Sequence, residues 1–174
     1  LCRGEMESEI IKLTETIYES RSLLFVKNIW FNTDIGIFKK EVSPLISDLN
    51  TIPIPVIDNE QAAYIENDRF QFKEPYFKNS RYGTMINRGC PYKCTYCSNE
   101  FMAKNVYPNT WNHIRYRSVG HVINELNNVK KTLRNIKRIN FYDEVFRLPQ
   151  EMHKEFCSQY KKYIKLPFYC MFYP

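Results

Sequence analysis

Glycine is scarce in this chain of 174 residues: Gly4, Gly36, Gly83, Gly89 and Gly120 are the whole set. None falls into the G-x-G-x-x-G or G-x-x-x-x-G-K spacing that brings backbone N–H groups against phosphate, so nucleotide cradles of those two kinds are excluded. Histidine is rarer still, with three residues, none followed by glutamate. A zinc helix of the H-E-x-x-H type is therefore absent, as is the G-x-S-x-G turn that presents a nucleophilic serine. No apolar run approaches the roughly 20 residues that span a bilayer, so no membrane partner is expected. A cationic-then-apolar leader is lacking too, because the chain opens on Leu1 and an acidic segment with Glu5, Glu7 and Glu9. The six cysteines are then expected in a reducing, cytoplasmic setting rather than in a disulfide scaffold. Charge of one sign is not gathered into a block: 25 basic and 19 acidic residues are interleaved, for a net charge of +6. Lys130, Lys131, Arg134, Lys137 and Arg138 read as a solvated helix end rather than a phosphate-binding strip, and nucleic acid is not expected as a partner. What is present is globular in composition, 44% apolar, 25% charged and 16% aromatic, at a length suited to one ordinary domain. A start without methionine and an apolar end at Pro174 read as a piece of something longer.

From Glu5 to Ser20, Met6, Ile10, Leu13 and Ile17 recur at spacings of three and four, which predicts a helix with that face buried. Two β-prone runs, Val26 to Phe31 and Gly36 to Phe38, flank the turn formers Asn32, Thr33 and Asp34 and predict a hairpin. Between Val42 and Ser80, Pro44, Pro53, Pro55 and Pro75 interrupt any regular pattern, and the stretch reads as an ordered linker. Beyond it the order is strand (Tyr82 to Asn87), long loop, helix (Val119 to Leu133, capped by Ser118), strand (Ile136 to Tyr142), helix (opened by Pro149) and strand (Leu166 to Tyr173). This alternation predicts parallel βαβ units, with right-handed crossovers placing both helices on one side of the sheet. The first helix carries Val119, Ile123, Leu126, Val129 and Leu133 on one side; the second carries Met152, Phe156, Tyr160 and Tyr163. The third strand is left with an unpaired edge that a continuing chain should cover.

The chemistry concentrates in Gly89-Cys90-Pro91-Tyr92-Lys93-Cys94-Thr95-Tyr96-Cys97, the loop at the C-terminal end of the first strand, where barrel enzymes place their active sites. Three thiolates at this spacing can turn inward from one tight loop and hold three irons of a cubane cluster. The loop has no fourth cysteine, which leaves one iron with an open coordination position. Two other readings stand beside this one. A zinc site could recruit His113 or Cys170 as a fourth ligand, although structural zinc commonly uses paired C-x-x-C knuckles and no second pair exists here. Three buried structural cysteines are the other, against which stand the polar loop neighbours Lys93, Thr95, Ser98 and Asn99. Cys157 and Cys170, in the second helix and the third strand, are read as core-packing residues.

A C-x-x-x-C-x-x-C spacing with an aromatic residue just before the last cysteine, here Tyr96, resembles the signature of the radical S-adenosylmethionine superfamily. The resemblance implies a 4Fe-4S cluster on Cys90, Cys94 and Cys97. Its open iron would chelate the amino and carboxylate groups of S-adenosylmethionine and pass one electron to the sulfonium. The 5′-deoxyadenosyl radical so released would take a hydrogen atom from an unreactive carbon of a small-molecule substrate, the protein supplying orientation and exclusion. Tyr96 would contact the adenine through its backbone. Many members end the second strand on a G-G-E-P sequence that holds the amino group; Asp143 and Glu144 stand at that place here, and carboxylates can accept hydrogen bonds from an ammonium group. An electron donor such as a flavodoxin or ferredoxin is implied as a partner.

Several further segments are similar to the cobalamin-associated class of that superfamily: Cys2-Arg3-Gly4-Glu5 with its helix, Ser43 to Leu49, Ile52-Pro53-Ile54-Pro55, Arg115 to Val119, Glu125, and Phe141 to Phe146. The resemblance implies three parts: residues 1–41 as the C-terminal tail of a cobalamin-binding-type domain, 42–80 as linker, and 81–174 as the N-terminal part of the radical core. The fold class expected is α/β, an incomplete (β/α) barrel comprising its first three strands and two helices. Cobalamin is expected in the full-length protein, although the D-x-H-x-x-G motif whose histidine can reach cobalt does not occur here, and Pro55-Val56-Ile57-Asp58 stands where proline followed directly by aspartate is usual. The function expected is reductive cleavage of S-adenosylmethionine for hydrogen abstraction or cobalamin-linked methyl transfer. The alternative is a non-catalytic iron–sulfur or zinc module with a structural or electron-transfer role.

Overall fold

The structure is a computed structural model that describes residues 1–57, 63–72, 80–108, 110 and 113–172. It divides into two compact units, each built from two stretches of chain: Leu1–Ser47 with Cys90–His113, and Asp48–Gly89 with Ile114–Pro174.

In the first unit, α1 spans Glu7–Tyr18, and β1 (Trp30–Thr33) pairs antiparallel with β2 (Gly36–Lys39) through a two-residue turn at Asp34 and Ile35. The second strand starts at Gly36 as expected, whereas the first sits a few residues later than its run suggested, following a single 3₁₀ turn at Leu23–Phe25 capped by the Ser22 hydroxyl. The face of α1 is also shifted. Glu9 and Thr16 are buried, whereas Ile10 and Ile17 are 44% and 60% exposed. The reason is polar: the Glu9 carboxylate accepts from Lys12 Nζ (2.6 Å), the Ser43 hydroxyl (3.1 Å) and the Lys27 backbone N–H (3.2 Å). A buried carboxylate needs such donors, and meeting that need turns the stripe by one position. Burial raises the Glu9 carboxyl, but the Lys12 ammonium, the Ser43 hydroxyl and the Lys27 N–H together hold it below its ordinary value. Asn28, fully buried in an αL conformation (φ 62°), donates through Nδ2 to Glu5 C=O (2.6 Å) and accepts from Ser43 N–H. Trp30 lies between the Arg3 guanidinium and the Lys39 ammonium, 4.6 and 4.7 Å from its ring centre. Gly4, at φ 74°, leaves room for Tyr107, whose hydroxyl would lie 1.9 Å from an added Cβ and which accepts from Glu5 N–H.

The second unit holds a three-stranded parallel sheet in which Arg138–Phe141 lies between Arg81–Thr84 and Phe168–Tyr169, the expected sequence of neighbours. A small hairpin comes first: β3 (Tyr64–Glu66) and β4 (Arg69–Gln71) meet through Asn67 and Asp68, both at positive φ. Positive φ at both central residues is the I′ signature, so this hairpin inside the expected linker was legible in the Asn-Asp pair. Pro75, one of the prolines behind the linker reading, and Asp58, quoted where the resembled class has aspartate directly after proline, lie outside the described residues. β5 is Arg81–Thr84 and ends earlier than expected; after a break at Met85 and Ile86, β6 (Asn87–Arg88) pairs antiparallel with β7 (Arg115–Tyr116). α3 (Val119–Thr132) follows, then β8 (Arg138–Phe141), α4 (Gln150–Gln159) and β9 (Phe168–Tyr169).

α3 buries Val119, Val122, Ile123, Leu126 and Val129, as its periodicity requires, and both helices contribute to the single core cluster over the sheet. An aromatic cluster runs through that core: Phe141, Phe146, Phe156 and Tyr160, with the 43% exposed Phe168 at its edge, meet at ring-centroid distances of 5.1 to 6.4 Å. Each fully buried phenylalanine contributes about 1.5–3 kcal/mol relative to exposure. Tyr163, expected on the inner face of the second helix, is instead 45% exposed, and Ile164 takes the buried place. The last turn, Tyr160–Ile164, widens to a π-helix, which advances the inward face by one residue before Lys165 ends it in the αL conformation. Lys130 Nζ caps that end, donating to Tyr163 C=O (3.0 Å) and Ile164 C=O (2.7 Å), so the leading member of the basic strip is a helix cap. Cys170 packs against the core, but Cys157 is exposed, since it falls one position beyond the Met152–Phe156–Tyr160 stripe.

The Ser118 hydroxyl accepts from His121 N–H (3.2 Å), and Ser118 N–H donates to Asn50 Oδ1 (2.7 Å). Replacing Ser118 with alanine is expected to lower stability by about 1 kcal/mol through the lost cap, readable as a shift in urea midpoint at constant slope. An unchanged midpoint would remove the cap from the account of why α3 starts where it does.

Candidate functional site

The chain enters the cysteine loop through Gly89, whose φ of 102° lies where a side chain is strained, so this turn is one only glycine takes freely. The loop itself belongs to the first unit. Cys90 is buried, and Cys94 and Cys97 are partly buried; none of the three is in a disulfide. Cys97 N–H donates to Cys94 C=O (3.0 Å), closing the turn between them. Cys97 then stands at the N-cap of the short helix α2 (Ser98–Phe101), which continues as a π turn over Met102–Val106. This short helix lies inside the stretch expected to be a long loop. Ala103 and Tyr107 anchor it in a second small core with Val42 and Leu45. Tyr96 is 86% exposed.

The donor set suits an iron–sulfur cluster in its chemistry: three cysteines outside any disulfide within eight residues, on a loop with no fourth cysteine. Their sulfurs do not converge, and among the described residues no three Cys, His, Asp or Glu side chains stand together as a metal-holding group. Binding a cluster therefore requires the thiols to turn inward. Cobalamin is different. Of the histidines, His121 accepts from Arg117 Nε through Nδ1 (3.1 Å), and no D-x-H-x-x-G frame surrounds any of the three. These residues do not fit a cobalt ligand of that kind.

The two candidate carboxylates belong to the second unit, at the C-terminal end of β8. Asp143 is fully buried. Its Oδ1 accepts from the backbone N–H of Ile86 (2.9 Å) and Asn87 (2.6 Å), while Oδ2 is buried with no partner. Desolvation raises the Asp143 carboxyl to about 6 against the pull of those two amides, with the neighbouring Glu144 charge adding to the rise. Glu144 Oε2 is likewise buried without a partner. The Cys170 thiol is pushed up by burial first and then by the charge of Asp143.

Sequence reasoning assigned no role to Arg117, which organises this end of the sheet. Its Nη1 donates to Met85 C=O (2.8 Å) and Thr84 Oγ1 (3.2 Å), and its Nη2 pairs with the Glu125 carboxylate. Glu125, 1% exposed, accepts from the Tyr82 hydroxyl through its other oxygen (2.9 Å). The available signal was Glu125 itself, a carboxylate amid the apolar stripe of α3, where only a paired charge is tolerated. Beside this network lies a cavity of about 210 Å³ lined by Leu49, Ile52, Pro53, Gly83 and His121.

A parallel α/β sheet with a cysteine loop after its first strand is the arrangement these observations define. No protein-family model matches the chain. An uncharacterized methyltransferase of Pyrococcus horikoshii is 27% identical over 146 residues, which is 84% of this chain and 28% of that protein. Among solved structures, the cobalamin-dependent S-adenosylmethionine radical enzyme OxsB, with aqua-cobalamin and S-adenosylmethionine bound, matches 96% of this chain and 22% of its own. The TM-score is 0.65 at 19% identity. The radical S-adenosylmethionine methyltransferase TsrM from Kitasatospora setae, with tryptophan substrate and an S-adenosylmethionine analogue bound, matches 92% of this chain and 28% of its own. Its TM-score is 0.60 at 15% identity. A second TsrM structure, holding cobalamin and a [4Fe-4S] cluster, gives 0.58 at 16%. The fold is thus similar to that of radical S-adenosylmethionine enzymes over these stretches, and the chain spans about a quarter of the length of the proteins it matches. No helix among the described residues is long and apolar enough to cross a membrane.

Proposed function

We propose that this chain is the cluster-bearing part of a radical S-adenosylmethionine enzyme of the cobalamin-associated class, acting in hydrogen abstraction or methyl transfer on a small molecule. The observation that carries the reading is the Cys90, Cys94 and Cys97 loop, entered through Gly89 at positive φ beyond a parallel strand and followed by a helix. The likeness in fold to OxsB and TsrM supports it. Cys90, Cys94 and Cys97 would hold a 4Fe-4S cluster, which when bound supplies the electron for cleavage of S-adenosylmethionine to a 5′-deoxyadenosyl radical. The chain's own residues bind and orient. Tyr96 lends its backbone to the adenine, and Asp143 Oδ2 with Glu144 Oε2, two buried acceptors lacking donors, take the ammonium group. A flavodoxin or ferredoxin supplies the electron in a reducing cytoplasm. Cobalamin, in the full-length protein, is bound by residues other than these.

Anaerobic reconstitution of the chain with iron and sulfide is expected to give about four irons per chain, and alanine at Cys90, Cys94 and Cys97 together is expected to give none. The full-length protein, reduced in the presence of S-adenosylmethionine, is expected to release 5′-deoxyadenosine. Iron loading with an electron-spin signal that ignores added S-adenosylmethionine would instead establish the non-catalytic module. Stoichiometric zinc with no iron would overturn the cluster.

A further inference from the structure

The four residues Thr84–Asn87 join β5 to β6 and lead through Gly89 to Cys90, yet the parallel ladder with β8 stops at Thr84. Beyond it the backbone is held by two residues distant in sequence. Asp143 Oδ1 accepts from Ile86 N–H and Asn87 N–H, at 2.9 and 2.6 Å. Arg117 grips the opposite side: Nη1 donates to Met85 C=O at 2.8 Å, and its own backbone N–H donates to Ile86 C=O at 2.8 Å. Asn87 Nδ2 completes the brace by donating to Val145 C=O at 3.0 Å. Neither holder is free to move. Asp143 is fully buried, and the Arg117 side chain, 14% exposed, is locked through Nε to His121 and through Nη2 to Glu125. The Asp143 and Arg117 side chains thus add to the β6–β7 ladder, which pairs Asn87 and Arg88 with Tyr116 and Arg115, and extend the hold back to Met85 and Ile86. Such a brace sets direction, because it fixes both the N–H and the C=O of the same short segment.

We propose that Asp143 and Arg117 are positioning residues for the cysteine loop, fixing Met85–Asn87 so that Gly89 delivers Cys90 from a preset anchor. The inference rests on the cluster reading given under Proposed function, and it concerns the Oδ1 side of Asp143, leaving the Oδ2 side to the ammonium group.

The test compares the parent with Asp143→Ala, Asp143→Asn and Arg117→Lys, without S-adenosylmethionine, so that ammonium binding plays no part. Amide exchange by NMR on the iron-free chain reads the brace directly. In Asp143→Ala the Ile86 and Asn87 amides are expected to exchange at least about tenfold faster, with the amides of β8 and α3 unchanged. Asp143→Asn keeps the Oδ1 acceptor and is expected to stay within about threefold of the parent. Arg117→Lys keeps the charge and loses the fork, and is expected to behave like Asp143→Ala. After reconstitution, the reduced cluster of Asp143→Ala and Arg117→Lys is expected to show a broadened electron-spin signal, and that of Asp143→Asn the parent's. Parent-like exchange and line shape in Asp143→Ala would overturn the proposal, as would accelerated exchange throughout β8 and α3 in Asp143→Asn. A parent that takes up no iron would sink the cluster reading while the exchange pattern still decided the brace.

Discussion

Replacing Glu125 with alanine is expected to lower the unfolding free energy by about 3–5 kcal/mol, the range found when one partner of a buried ion pair is removed. The magnitude follows from what is left behind. The Arg117 guanidinium would keep its bonds to Thr84 and Met85 but lose its counter-ion in a site where its side chain is only 14% exposed, and the Tyr82 hydroxyl would lose its acceptor. At this chain length the loss corresponds to a melting temperature lower by about 10 °C or more. Replacing both charges by apolar residues, Arg117→Met with Glu125→Leu, is expected to restore most of the stability, because the expense of a broken buried pair lies in the orphaned charge. Thermal and urea unfolding of the three variants measure this. A Glu125→Ala protein melting within two or so degrees of the parent, or a double variant no better than the single, would show that the pair holds nothing together.

Asp143→Asn is expected to act in the opposite direction at neutral pH. The carboxyl sits at about 6 in the folded chain against 3.8 in the unfolded one. Between those values the folded state binds more protons than the unfolded, so stability falls as pH rises. The contribution is fully present below about pH 4 and lost once pH passes about 6; at 1.36 kcal/mol per unit the difference amounts to about 3 kcal/mol. Asparagine keeps an oxygen for the Ile86 and Asn87 amides and carries no charge to desolvate. The variant is therefore expected to be more stable than the parent at pH 7.5 by up to this amount and to converge with it near pH 4. Urea denaturation of both proteins across that range isolates Asp143 from every other titrating group. Parallel curves would mean that the carboxyl is already ionised at little expense and that its burial has been offset by the two amides.

Sequence periodicity located the sheet, its strand order and both crossover helices because each apolar stripe there meets an apolar partner. Val119 to Val129 and Phe141 to Phe168 are such cases. It misplaced the buried face of α1 because Glu9 satisfies a hydroxyl, an ammonium and a peptide N–H, and hydrophobic spacing carries no information about those partners. It missed the slip from Tyr163 to Ile164 because a π turn changes the period that the reading assumes. For the site, the cysteine spacing was plain in the chain, and so were two adjacent acids after a strand. What no spacing could show is that one oxygen of Asp143 is committed to the Ile86 and Asn87 amides. That depends on the chain breaking at Met85, and the break arises from β6 turning away to pair with β7.

The place of Trp30, held between Arg3 and Lys39, has a practical side. Trp30 belongs to the first unit, whereas the stacked phenylalanine and tyrosine rings of the aromatic cluster belong to the second. Emission from the Trp30 indole therefore reports on the first unit, and near-ultraviolet dichroism of the stacked rings reports on the second. A single unlabelled sample carries two separate optical reporters, one on the half that bears the thiols and one on the half that bears the carboxylates.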